Sequence, residues 1–292
     1  MSQTYLVTGA SGHLGRRVLE LLADQAPGAL VATTRTPEAV ADFASHGVEI
    51  RAADFDDAAS LATAFAGVDR LLLISTDSAD GTGRRIRQHR QAVAAAKEAG
   101  VQHIVYTSVA RATDSPLIIA ADHVATEVAL AESGLGYTVL RNNFYSEGLI
   151  PVLKSALASG RLLSAAAGGR INYLPREDCA LAAVAALRAD FHDQRVLEIN
   201  GATPIGAMDA VRLAGEIAGR PVAYVELSAE DLVTELLNSG TPRPAAEFVA
   251  GLDVGIAQGA LDIKTDDFAE LTGRDPEPVE AFLERNRQAF LA

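Results

Sequence analysis

One cysteine, three lysines and no tryptophan stand in this 292-residue chain. The single thiol, Cys179, excludes an internal disulfide framework and any multi-cysteine metal site, and it suits a reducing compartment. Six histidines show no HExxH pair or other ligand spacing, so no metal is expected. No apolar run approaches the ~20 residues that a bilayer demands. The opening MSQTYLVTGASG lacks the basic stretch and long apolar core of a secretory signal. The expectation is a cytoplasmic protein with no membrane partner. Basic charge is scarce too: 25 Lys and Arg face 38 Asp and Glu, a net charge of −13, and residues 1–150 and 151–292 are both acidic. A binder of phosphate backbones needs a basic face, so nucleic acid is not expected as a partner.

What is present is an alternation of two periods. Tyr5–Thr8, Leu30–Thr34, Val48–Ala52, Leu71–Ile74, Ile104–Thr107 and Tyr137–Leu140 are short runs of aliphatic, β-branched or aromatic residues. Segments of helical period lie between them, such as Leu14, Val18, Leu21 and Leu22. Strands that are apolar nearly throughout, alternating with helices, predict a doubly wound parallel α/β sheet of the Rossmann type covered on both faces. Six parallel strands are expected in residues 1–150. After Asn142 the pattern loosens. Helices are expected near 146–159, 176–189, 206–219, 228–239 and 276–290, with short strands at 195–199 and 222–226 and loops at Gly201–Gly206 and Thr241–Pro244. Residues 151–292 then form a smaller, partly interleaved C-terminal α/β region, with the strand near 195–199 returning to the first sheet.

The most specific local signal is Thr8-Gly9-Ala10-Ser11-Gly12-His13-Leu14-Gly15, directly after a strand and opening a helix. Gly9 permits a tight turn, Gly12 lets backbone approach a pyrophosphate, and Gly15 lets the helix pack closely on the sheet. The helix start offers free N–H groups and a positive dipole to phosphate. A ligand-free glycine turn is the alternative, and the position of the loop between strand and helix argues against it. At the end of the second strand, where NAD-binding folds place an acid for the ribose 2′-OH, the chain reads Ala32-Thr33-Thr34-Arg35. The Arg35 guanidinium suits a 2′-phosphate, which favours NADP(H) over NAD(H), unless it is only a solvated surface arginine. Asp54 and Phe55, after the third strand, could hold the adenine, or Asp54 could cap the next helix. Ile74-Ser75-Thr76 ends the fourth strand beside the expected cofactor path, with its backbone and Ser75 as candidate contacts.

A Tyr-x-x-x-Lys pair, which would lower a tyrosine pKa for carbonyl reduction, is missing: four residues after the six tyrosines stand Gly9, Ala110, Arg141, Leu149, Glu177 and Ser228. Where the pair would be expected the chain reads Asp122-His123-Val124-Ala125-Thr126-Glu127. His123 could be a proton source or simply a helix residue satisfying a neighbour. Cys179 lies in an apolar helical stretch and reads as a buried small hydrophobe.

TGASGHLG, RTPE, LLLIS, QHR at 88–90, YTS at 106–108, SPL at 115–117, DHVATE, YTVLRNNFYSE and DVGIAQGAL at 253–261 together resemble the NmrA-like atypical short-chain dehydrogenase/reductase family. Within it the wording is most similar to the bacterial type 2 NAD(P)H:quinone oxidoreductases, with triphenylmethane dye reductases as near relatives. The resemblance implies an NADP(H) site lined by Gly9, Ala10, Ser11, Gly12, His13, Leu14, Arg35 and the segment Leu140, Arg141, Asn142 and Asn143. It implies a cleft for a flat, electron-poor acceptor, with Phe144 and Tyr145 as walls, though both could equally pack the following helix. His13 departs from the glutamine-like residue usual there, which puts its phosphate contact in doubt. Arg176 matches a family arginine, for which the resemblance implies at most a cleft contact.

Quinones need less acid catalysis than ketones, so orientation and water exclusion would suffice, with Tyr145 or His123 as the hydrogen-bond donor. No flavin and no metal are needed. The expected activity is NADPH-dependent two-electron reduction of quinones. The alternatives are dye or xenobiotic reduction, or a dinucleotide-binding redox sensor without catalysis. A monomer or homodimer is expected.

Overall fold

The computed structural model describes residues 3–25, 28–78 and 82–291. The first half runs β1 (Thr4–Val7), α1 (His13–Gln25), β2 (Ala29–Thr34), a 3-10 stretch (Pro37–His46), β3 (Val48–Ala52), α2 (Ala58–Phe65), β4 (Arg70–Leu73), α3 (Arg84–Glu98), β5 (His103–Val109), α4 (Ala120–Ser133) and β6 (Gly136–Asn142). The second half runs α5 (Leu149–Ser159), β7 (Arg161–Ser164), β8 (Arg170–Ile171), α6 (Arg176–Arg188), β9 (Gln194–Ile199), β10 (Ile205–Gly206), α7 (Ala207–Ala218), β11 (Ala223–Glu226), α8 (Ala229–Asn238), α9 (Arg243–Ala257), α10 (Asp267–Thr272), α11 (Val279–Arg285) and α12 (Arg287–Leu291).

The main sheet has the order β3-β2-β1-β4-β5-β6-β9 and is parallel throughout. It is the Rossmann-type fold that the period alternation predicts, with one strand more than the six in the first half. The seventh is the strand read near 195–199, which pairs with β6 from Tyr137↔Gln194 to Asn142↔Ile199. Strand order reverses between β1 and β4. Such a reversal opens a crevice beyond the carboxyl ends of the two strands, where α/β sheets bind ligands.

Alternate residues of each strand feed opposite faces. Leu6, Val31, Leu71, Ile104, Tyr106 and Val139 face Phe65, Leu61 and Ala96 of α2 and α3. Val7, Leu30, Ala32, Leu72, Val105 and Leu140 face Val18, Leu19 and Leu22 of α1. Each of the large side chains so buried contributes roughly 1.5–3 kcal/mol before chain entropy is counted. The α2 helix begins where Asp57 accepts from the Ala59 amide at 3.0 Å.

The α1 face is completed from the second half. Cys179, Ala182, Ala183, Ala186 and Leu187 of α6 are buried against it, and Arg17 of α1 forms a two-pronged ion pair with Glu177 at 2.6 and 2.9 Å. Interleaving therefore involves a helix as well as a strand. The rest of the second half has its own apolar cluster, in which α5, α7, α11 and α12 converge on Leu153, Leu213, Phe282 and Phe290.

Three expectations fail locally. The loop read over Gly201–Gly206 ends in β10, whose Ile205 and Gly206 pair with Ile171 and Arg170 of β8. The Thr241–Pro244 loop is shorter than read, because α9 begins at Arg243 and holds Pro244 in its first turn, where its missing N–H costs nothing. The helix expected over 276–290 begins after Pro278 and is divided at Asn286.

Candidate active site

Gly9, Ser11 and Gly12 lie in the turn between β1 and α1. Gly9 adopts φ +60°, a backbone conformation that strains any L side chain. The Gly12 amide donates to the Gly9 carbonyl at 2.9 Å, and the Ala10 amide to Thr33 at 3.1 Å, so the turn is closed by its own backbone. A Cβ on Gly15 would lie 2.4 Å from the Gly9 oxygen. This close approach directs the first amides of α1, which have no helical acceptor, over the end of the sheet.

A groove of about 470 Å³ opens from this turn across the carboxyl ends of β1, β2, β3 and β4. It brings together eight of the residues expected from the sequence: Gly9, Ser11, Gly12, Arg35, Asp54, Phe55, Ile74 and Ser75. Ala10 and Leu14 are buried beneath the turn. His13 is exposed at the start of α1 and lies outside the groove lining. Arg35 is exposed at one end and makes no hydrogen bond or ion pair with any described residue. The other reading of Asp54, a helix cap, fails because Asp57 caps α2; one Asp54 oxygen accepts from the Asp56 amide at 3.0 Å. Phe55 packs beside it on the α2–α3 core.

Thr76 continues the expected Ile74-Ser75-Thr76 stretch along the groove, while Thr33, Thr34, Asp77, Arg84 and Gln88 also line it and were not expected. Thr34 shares a 2.8 Å hydrogen bond with Ser11. Asp56 is held below its usual pKa, first by its hydrogen bond with Arg84 on the same rim. Small polar residues at the ends of strands were the available signal.

The segment after β6 divides. Leu140 is core, and Arg141 pairs with Glu127 at 2.6 Å and Glu198 at 3.2 Å. Asn143 spends its amide on Asn200, Leu261 and Phe144. These three side chains are committed to structure and lie outside the groove lining. Asn142 is different: it is 5% exposed, and its side-chain amide makes no well-formed hydrogen bond among the described residues, with the Tyr145 hydroxyl close by. Phe144 packs on Val109, Leu117 and Ile256, so its ring serves the core behind the segment. Tyr145 packs against the α1–α6 core, with the Arg176 guanidinium 5.4 Å from its ring centre. Burial, with Cys179 nearby, raises the pKa of its phenol, which stays protonated. Glu147 accepts from the Arg176 amide with both oxygens and so anchors the start of α6.

His123 is buried in α4, with Nδ1 2.8 Å from the Tyr106 hydroxyl. Burial, aided by Arg85, lowers its pKa to about 3, so it is neutral in solution near pH 7. It is outside the groove lining and is not poised as an acid. Cys179 is buried, as expected of a small hydrophobe.

A second, apolar cavity of about 610 Å³ lies within the second half, walled by Leu153, Leu163, Leu232, Ile256 and Tyr173. Its polar points are few. Asp253 accepts from the Ser164 hydroxyl and the Ala165 amide at 2.8 and 2.7 Å, and burial raises the pKa of its carboxyl. Leu174, next to Tyr173, is bridged to Tyr145. The cavity thus backs on the segment that carries Tyr145. No cluster of three or more His, Cys, Asp or Glu that could hold a metal ion exists among the described residues. No helix among them is long and apolar enough to cross a membrane.

A dinucleotide fits the first groove on two counts: the glycine cradle that Cβ atoms would fill and the unengaged Arg35. Comparison with known proteins agrees. Residues 9–190 match the NAD(P)H-binding family model. Quinone oxidoreductase 2 of Escherichia coli is 39% identical over 265 residues, spanning 89% of this chain and 91% of that protein. The crystal structure of the E. coli NADPH-dependent quinone oxidoreductase complexed with NADPH superimposes with a TM-score of 0.91, covering 96% of this chain and 99% of that one. An NmrA-like family domain-containing oxidoreductase of Aspergillus flavus is 32% identical over 94% of this chain and 92% of its own. The Citrobacter sp. triphenylmethane reductase complexed with NADP(H) matches with a TM-score of 0.88 and 34% identity, over 98% and 99% of the two chains. The chain belongs to the NAD(P)H-binding family, on its NmrA-like oxidoreductase branch.

Proposed function

We propose that this member of the NAD(P)H-binding family uses NADPH in preference to NADH to reduce quinones or similar planar, electron-poor acceptors by direct hydride transfer. The observation that carries the reading is the groove at the β1–β4 strand reversal, where the glycine turn and an unengaged arginine stand at one opening. The first amides of α1 receive the pyrophosphate, and Arg35 takes the ribose 2′-phosphate by charge and fork geometry. Asp54 and Phe55 hold and cover the adenine. Asn142 offers one donor and one acceptor in a buried setting, which suits the amide of a nicotinamide ring. The bound dinucleotide supplies the hydride.

The remaining work falls to orientation. Tyr145 stays protonated at any physiological pH and can donate to a developing oxyanion on the acceptor. Geometry favours it over His123, whose Nδ1 is engaged with Tyr106. The apolar cavity behind Tyr145 takes the acceptor's ring substituents and keeps water out. No flavin, metal or Tyr-x-x-x-Lys pair enters this scheme. The oxidoreductase names of the relatives support it, as does the presence of NADPH or NADP(H) in two solved structures.

The test is NADPH oxidation by the purified protein with benzoquinone, a naphthoquinone or a triphenylmethane dye, run beside NADH and Arg35→Ala. Turnover is expected with NADPH. Loss of one charge-assisted contact should lower kcat/KM for NADPH about tenfold or more and leave NADH nearly unchanged. Tight NADPH binding with no turnover on any acceptor would overturn the enzymatic reading in favour of a sensor.

A further inference from the structure

Beyond β4 the chain leaves the sheet and runs along the groove as Ile74-Ser75-Thr76. Three successive amides of this ledge are held by side chains from three different elements. The Ile74 amide donates to Thr8 Oγ1 at 2.9 Å, the Ser75 amide to Thr107 Oγ1 at 2.9 Å and the Thr76 amide to His89 Nε2 at 3.0 Å. Thr8 and Thr107 sit in or beside strands already locked into the sheet. His89 sits on α3 and is wholly buried.

The donor and acceptor count around His89 leaves a single arrangement. Nε2 accepts an amide proton, so the ring proton is on Nδ1. Nδ1 lies 2.8 Å from Thr126 Oγ1 and donates to it, and the Thr126 hydroxyl passes its own proton to the Asp122 carbonyl at 3.0 Å. The ring donates from Nδ1 only while Nε2 accepts, so reversing the His89–Thr126 link would strip Thr76 of its acceptor. The Tyr106 ring packs edge-on against His89 at 5.6 Å, and its hydroxyl meets His123. Three patterns that the cofactor site leaves over, QHR at 88–90, YTS at 106–108 and DHVATE, therefore converge on one buried polar cluster.

We propose that His89 is a positioning residue whose Nδ1–H tautomer, held by Thr126, fixes the Ile74–Thr76 ledge in the shape that receives the dinucleotide. The inference rests on the groove being the NADPH site proposed above. Arg85 and His123 are the charged and titratable neighbours; with burial as the larger cause, they lower the His89 pKa to about 3, so the neutral ring is the working form.

The experiment compares the full-length wild type with His89→Leu, His89→Gln and Thr126→Val. In cofactor-free wild type, nitrogen-15 NMR should show His89 with Nδ1 protonated and Nε2 bare. Hydrogen exchange at the Thr76 amide should be slow. His89→Leu, which keeps bulk and removes the acceptor, should speed that exchange at least tenfold and raise the NADPH Kd about tenfold. His89→Gln, able to accept from Thr76 and donate to Thr126, should recover most of both. If His89→Leu does not fold, Thr126→Val decides, since it keeps the ring and should let the second tautomer appear. An Nε2-protonated ring in the wild type, or a Thr76 amide whose exchange stays within twofold in the variants, would overturn the proposal. Exchange and tautomer are read without cofactor. Failure of the wild type to bind NADPH would overturn the function reading and with it the ledge's role in receiving a dinucleotide, while the exchange and tautomer data still decide whether His89 fixes the ledge.

Discussion

Gly15→Ala offers the sharpest test of how the phosphate turn is built. Gly15 is inside α1 and has ordinary helical backbone, so alanine gains up to ~1 kcal/mol of helix propensity and meets no φ penalty. Against this, the new Cβ would stand 2.4 Å from the Gly9 carbonyl oxygen, 2.9 Å from its carbon and 3.1 Å from Ala10 Cα. All three are backbone atoms of a turn closed by its own hydrogen bonds, so none can rotate away. The start of α1 must lift off the turn, at the cost of roughly 1–3 kcal/mol that overpacking exacts. The net loss is about 1–2 kcal/mol, or a fall in Tm of roughly 2–8 °C for a chain of this size. The same displacement carries the first amides of α1 away from the groove, and the NADPH Kd should rise tenfold or more. Gly12→Ala is the control: its Cβ meets the same oxygen at 3.2 Å, so Tm should fall less while NADPH binding still weakens. Thermal melts with and without NADPH, and a fluorescence titration, measure all four numbers. If Gly15→Ala keeps the parent Tm and a Kd within twofold, close packing of α1 on the turn does not hold the site.

Asn142→Leu should raise the Tm of the cofactor-free protein, because two buried unpaired amide atoms disappear, while it weakens NADPH binding; a lower Tm would show that the amide already has a partner. Three buried histidines set an acid limit. His89 and His123 are depressed to about 3 and His103 to about 4, all chiefly by burial, so the unfolded chain takes up their protons first as pH falls below about 6.5. Their contribution to stability is full above that pH and declines by up to about 1.4 kcal/mol per pH unit each down to their folded values. Urea midpoints measured from pH 7 to 4.5 should fall steadily, and a flat profile would refute the burial argument. Cys179, whose pKa burial raises, should resist a thiol reagent until denaturant is added; prompt native labelling would contradict its place in the α1–α6 core.

The first half of the fold was legible because glycine and aliphatic runs leave few choices. Only glycine fits at Gly9 and Gly15, and strands buried on both faces must be apolar throughout. The second half was less so. β11 was read at 222–226, but its partner β7 and the two-residue β8 and β10 are too short for a period to show. Pro244 reads alike as loop or first turn. In the site, Asn142 and Asn143 are chemically identical neighbours, yet strand geometry sends them to opposite faces, where one is saturated and the other empty. His123 was singled out for its place near the missing Tyr-x-x-x-Lys pair, while His89 stood out only as part of the QHR pattern at 88–90, which assigns it no role. Which histidine reaches the ledge is decided by the packing of α3 and α4 on β5, and that is a tertiary fact.

The lateral joining of β9 to β6 has a consequence for synthesis on the ribosome. Until residue 199 has emerged, β6 is an outer edge with unpaired backbone from Tyr137 to Asn142, and until α6 has emerged the α1 face lacks part of its cover. Such an edge recruits other strands, including those of neighbouring nascent chains. A product ending near residue 150 would hold every element of the phosphate groove and still be prone to aggregate. Productive folding therefore waits for roughly two thirds of translation, and a chaperone that shields the β6 edge during that interval should raise the yield of active protein.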